Sequence, residues 1–182
     1  MAKIDPSIKE GIVRLNRNDL EKLVLKAASL SKQFHDYMLV TYIDSKHGER
    51  DLFDAAKTDL KILYGKSYRG RSKELQLAEM LSACNKRIVE FSKVCKDKSL
   101  EMDLIMEVLK IPFSLPPRHF ETCFTKFNYQ VYLLVKKTIT LLKTKLHEDY
   151  YIQYAPEINK YLEFLHQHSA YLDYVYDMPK SV

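Results

Sequence analysis

Glycine is scarce: four of 182 residues. A β-rich or Rossmann-like fold needs more turn glycines, so the shortage favours long helices joined by short connections. Long apolar runs are missing as well. The densest, Val131 to Val135, stops at Lys136 and Lys137, far short of a membrane span. The opening MAKIDPSIKE has no apolar h-region, so no signal peptide is expected. Cysteine is limited to Cys84, Cys95 and Cys123, an odd number without CxxC spacing, which is the usage of a cytoplasmic protein with reduced thiols.

What is present fits a globular domain. Hydrophobic residues make up 46% and charged residues 29%, proportions that argue against disorder. The length suits one domain over 1–182, with possible sub-lobes at about 1–111 and 117–182 joined by the proline-containing stretch IPFSLPPRHF.

Helical periodicity recurs along the chain. Asn16 is placed to cap a helix carrying Leu20, Leu23, Val24 and Ala27, and Ser29 to Ser31 is a weak point before Phe34, Met38, Leu39 and Tyr42. After a break at Ser45 to Gly48, the stripe Leu52, Phe53, Ala56, Leu60 and Leu63 predicts a third helix, with Gly65 as its C′ stop. Ser72 heads a fourth, with Leu77, Met80, Leu81, Cys84, Ile88, Phe91 and Cys95 on one face, and Ser99 caps a fifth. Pro112, Pro116 and Pro117 then forbid a continuous helix. From Arg118 to Leu146 a long helix is expected, with Phe120, Phe124, Phe127, Val131 and Leu134 on one face. Pro156 starts the last regular helix, and a short docked or extended tail follows. The sum is an all-α chain of about seven helices in sequential antiparallel hairpins, a compact array or an irregular α-solenoid.

Motifs for chemistry fail on spacing. Gly65-Lys66-Ser67 has Leu60 where a P-loop needs its first glycine, and follows a helical rather than a strand pattern. His147-Glu148 is followed by Tyr151 where HExxH requires its second histidine. His166 and His168, two apart, point to different sides of a helix. His35-Asp36 and His119 could serve as acid–base groups, but no nucleophile or oxyanion pocket accompanies them. No catalytic residue, metal ligand or cofactor is therefore assigned.

The charge is uneven. Residues 1–56 carry nine cations and nine acids, residues 57–98 eleven and five, and residues 99–182 nine and ten. The excess lies around YGKSYRGRSK. Lys61 and Lys66 suit the end of the third helix, and Lys86 and Lys93 a solvated face of the fourth. Arg69, Arg71 and Lys73 crowd a helix start, where acids are preferred and only Glu74 opposes them. Their counter-charge is either an acid of the same fold, such as Glu148 or Asp149, or a bound anion. Arg87, beside an apolar stripe, suits an ion pair. Lys66, Arg69, Arg71, Lys73 and Arg87 form the candidate anion site, with nucleic acid as its possible ligand.

Seven of thirteen tyrosines fall between Tyr150 and Tyr176. Tyr161 belongs to an apolar stripe. Tyr150, Tyr151, Tyr154, Tyr171, Tyr174 and Tyr176 form a candidate contact surface for a protein partner or a second copy.

Two stretches, LNRNDLEKLVLKAASLSKQFHDYMLVTYID and YGKSYRGRSKELQLAEMLSACNKRIVEFSKV, together resemble a family of uncharacterised bacterial all-helical proteins. The shared pattern is a leucine-headed start and two consecutive helices ending near aromatics. A glycine-containing basic loop then feeds a helix with alanine and lysine. It covers the first half to two thirds of the chain and implies an all-α fold without catalytic residues to carry over. The leading expectation is a non-enzymatic, cytoplasmic interaction domain. Polyanion binding is the alternative, and an enzyme with a pocket near His35 or His119 stands third.

Overall fold

A computed structural model describes residues 4–44, 47–123 and 125–182. Every regular element among them is helical, in the order α1 (Pro6–Val13), α2 (Arg17–Leu30), α3 (Lys32–Met38), a π-helical turn (Leu39–Ile43), α4 (Gly48–Gly65), α5 (Lys73–Ser92), α6 (Lys98–Phe113), a 3-10 turn (Pro117–His119), α7 (Thr125–Thr144), α8 (Asp149–His168) and α9 (Asp173–Tyr176). The chain divides into two compact units, Met1–Gly48 and Glu49–Val182. The division falls at the start of α4, and the proline-containing connection lies within the second unit.

In the first unit the helix signals are local. Asp5 caps α1, with Pro6 at the first helical position, where its missing N–H costs nothing. The Asn16 Oδ1 accepts from the Asp19 backbone N–H at 2.9 Å to start α2. Ser31 ends α2 and caps α3 through the Phe34 N–H. Gly48 packs against Val40, where an added Cβ would lie 3.3 Å from the Val40 Cα.

The second unit holds the core. α7 packs against α5, α6 and α8, and α9 lies against α8. Leu81, Cys84 and Ile88 of α5, Leu104, Ile105 and Leu109 of α6, Phe127, Val131 and Leu134 of α7, and Ile158, Leu162 and Leu165 of α8 are all buried. The proline segment is sealed by aromatics. Phe113 stacks on Tyr161 at 4.0 Å, and Phe120 meets Phe127 and Phe164 edge to face.

Several boundaries differ from the sequence reading. α1 was not foreseen. Gly65 is the last residue of α4 rather than a left-handed stop, since no described glycine has a positive φ. Asp97, not Ser99, caps α6, because its carboxylate takes both the N–H and the hydroxyl of Ser99. α6 runs through Pro112, sacrificing one bond to the Val108 carbonyl near its end. The helix expected from Arg118 is a 3-10 turn, with α7 beginning at Thr125. Phe120 therefore reaches the core from the connection, its carbonyl accepting from the buried Asn128 amide at 2.8 Å. Phe124, placed on the same face by periodicity, lies outside the described residues, as does Ser45. Pro156 stands inside α8, which starts seven residues earlier. Its ring is exposed, so the bond lost at Ile152 faces solvent.

Candidate functional site

The basic residues are built onto the connection between α4 and α5. Ser72 caps α5 by accepting from the Leu75 N–H. Gly70 lies so close to this helix start that a Cβ would sit 3.0 Å from the Gln76 nitrogen and from the Leu75 Cβ, and the Gln76 side chain donates to the Gly70 carbonyl. The Tyr68 hydroxyl donates to the Leu63 carbonyl at 3.0 Å, tying the loop back to α4. The loop is thus held at both ends and along its middle.

Its charges face outward. Lys66, Arg69, Arg71 and Lys73 are exposed, and among the described residues none of them has a carboxylate within ion-pair distance. Glu74, the acid expected to offset them, turns inward. Its carboxylate meets the His119 Nδ1 at 2.8 Å, both side chains mostly buried, and this hydrogen bond holds the Glu74 carboxyl below its ordinary value. The other two acids offered as counter-charges, Glu148 and Asp149, form no ion pair with the loop cations among the described residues, and Asp149 lies 3.0 Å from His147.

Arg87 does not belong with these four. Its side chain is 13% exposed and its Nε lies 2.7 Å from the Asp59 carboxylate on α4, so it serves as an internal link between α4 and α5. Arg118 takes a place that sequence distance concealed. It is exposed, unpaired among the described residues, and adjacent to His119. Lys73 and Arg118 therefore each stand one residue from the Glu74–His119 contact.

The tyrosines are mostly structural. Tyr154 is buried and donates to the Asp103 carboxylate at 2.6 Å, joining α8 to α6, and burial together with this bond raises its hydroxyl's pKa. Tyr150 stacks on it at 6.0 Å. Tyr171 donates to the Phe120 carbonyl, and Tyr174 donates to the Thr125 carbonyl and packs between Tyr129 and Tyr132. Tyr151 is half-buried. Neither it nor Tyr176, which is 73% exposed, has such a tie among the described residues. The six do not make one open surface.

The uncovered apolar surface lies instead in the first unit. No residue of α1, α2 or α3 is buried. Leu23 and Leu30 on one side of α2 are 44% and 75% exposed, and Ile8 on α1 is also exposed. The sequence signal is the stripe Leu20, Leu23, Val24 and Ala27 at helical spacing.

The histidines divide by partner. His35 and Asp36 are an exposed neighbouring pair at 3.1 Å. His168 meets Glu121 at 2.9 Å while His166 faces the Pro179 carbonyl, so the two rings point apart as their spacing requires. Among the described residues no three His, Cys, Asp or Glu side chains are grouped to hold a metal, and no helix is long and apolar enough to cross a membrane.

No protein family, curated protein or solved structure matches the chain.

Proposed function

We propose that this protein is an interaction domain that self-associates through its N-terminal unit, α2 pairing antiparallel with α2 of a second copy. The observation that carries this reading is that α2 has a continuous apolar stripe of which no residue is fully buried, Leu20, Val24 and Ala27 being half-buried and Leu23 and Leu30 exposed. A 14-residue helix is marginal alone and gains most of its stability by covering its apolar face. A second copy is favoured by charge. The N-terminal unit, residues 1–48, carries eight cations and six acids, so the pairing rests on where the charges lie along α2 rather than on net balance.

The pattern on α2 also matches itself. Asp19 and Lys26 border the stripe on the same edge, two turns apart. In an antiparallel pair like edges meet, so Asp19 of each copy faces Lys26 of the other while Leu20 packs on Leu23 of the other. The opposed helix dipoles add to this arrangement. The surface is small beside the area of an obligate dimer, so a dissociation constant on the order of micromolar is expected.

The test is charge reversal. Lys26→Glu places two acids together at each end of the pair and weakens dimerisation. Adding Asp19→Lys restores the opposite charges and the dimer. The cap bond from the backbone N–H of residue 19 to Asn16 remains available, and only the Asn16 amide's bond to the Asp19 carboxylate is lost. Dimers unaffected by Lys26→Glu, or not recovered by the double variant, would refute the antiparallel pairing. A partner of different sequence would appear as a chain that stays monomeric at every concentration.

A further inference from the structure

We propose that the loop between α4 and α5, with Arg118 beside it, binds the phosphate backbone of double-stranded nucleic acid. Lys66, Arg69, Arg71, Lys73 and Arg118 are all exposed and have no carboxylate partner among the described residues. The acid nearest in sequence is withdrawn: Glu74 is committed to His119, and Lys73 and Arg118 are the chain neighbours of that contact on its two sides. Five cations of the second unit are paired with acids, namely Arg87 with Asp59, Lys57 with Glu107, Lys126 with Glu79, and Lys98 and Lys137 with Glu101. The loop differs in density, with Lys66, Arg69, Arg71 and Lys73 exposed within eight residues and none paired among the described residues. It is also braced by Gly70 and Tyr68, so its cations are carried on a fixed backbone rather than a loose tail.

The chemistry favours backbone over base, and duplex over single strand. Single-strand sites stack bases on exposed aromatics. Tyr68, the loop's sole aromatic, is half-buried with its hydroxyl engaged. Loop residues 66–72 present no exposed apolar side chain for insertion into a lipid surface. Five cations without base-reading partners contact phosphates and bind without sequence preference.

The experiment is fluorescence anisotropy of the full chain with a labelled duplex of about 20 base pairs, titrated across salt. Five phosphate contacts give a log–log salt slope of about −4.5. Arg69→Ala combined with Arg71→Ala lowers the magnitude of that slope by about 2 and weakens low-salt binding more than about tenfold. Both side chains are exposed and unpaired, and an unchanged circular dichroism spectrum verifies the fold. Lys86→Ala with Lys93→Ala, on the exposed face of α5 and its C-cap, leaves binding within about twofold. Absent binding at low salt, equal binding by the Arg69/Arg71 variant, or tighter binding to single strands or to phosphatidylserine vesicles would each overturn the proposal.

Discussion

Replacing Glu101 by glutamine removes a charge from the inside of the second unit, and the structure sets what that costs. Glu101, in the first turn of α6, has a side chain 4% exposed, with Lys98 at 3.0 Å and Lys137 of α7 at 2.8 Å. Burial opposes its ionisation, but the two ammonium groups prevail and hold its carboxyl below the ordinary value. Breaking a buried pair from one side costs about 3–5 kcal/mol. Lys98 keeps partial contact with water, whereas the Lys137 ammonium nitrogen is buried, so about 3–5 kcal/mol is expected. Urea unfolding followed by circular dichroism at pH 7 should therefore move to a lower midpoint by roughly 1–2 M. Because the carboxyl's folded-state pKa is depressed, its contribution is complete above the unfolded carboxyl pKa and is lost as pH falls through the folded value. The gap between parent and variant closes in acid. Replacing all three residues with leucine or methionine recovers most of the loss, since a packed apolar set rivals a buried ion triad. A glutamine variant within about 0.5 kcal/mol of the parent at pH 7 would refute the role given to this carboxylate.

Two further outcomes follow from burial. Cys84 and Cys95 are buried, and burial pushes each thiol up to about 12, whereas Cys123 is exposed. A thiol reagent at mildly alkaline pH should label one cysteine rapidly in the native protein and three in denaturant, as counted by mass spectrometry. Tyr154→Phe leaves the Asp103 carboxylate without its donor and should cost about 1–3 kcal/mol in urea unfolding, while Tyr176→Phe should change stability by less than about 0.5 kcal/mol.

The all-helical class was legible because periodicity and caps are local. The Asn16, Ser31 and Ser72 caps act within three residues, and the stripes of α5 and α7 are read at fixed spacing. The errors came from giving single residues too much authority. Treating Pro156 as a helix start hid the fact that Tyr154 shares a face with Ile158, Tyr161 and Leu165, so a core tyrosine was read as surface. The Asp5-Pro6 start of α1 is a local signal of the same kind as the caps. Other features cannot be seen locally. The Glu74–His119 contact spans 45 residues and depends on how the proline connection returns to α5, and with it went the true membership of the basic cluster, Arg118 in and Arg87 out. The stripe on α2 looks like any core stripe in sequence, and only three-dimensional burial reveals that none of its residues is fully buried.

Sedimentation velocity of the full chain, from about 1 to about 200 µM, tests the central claim most directly. The account predicts a concentration-dependent shift from monomer to dimer that Lys26→Glu suppresses and Asp19→Lys with Lys26→Glu restores. A single monomeric species across that range, or a dimer indifferent to both variants, would contradict it.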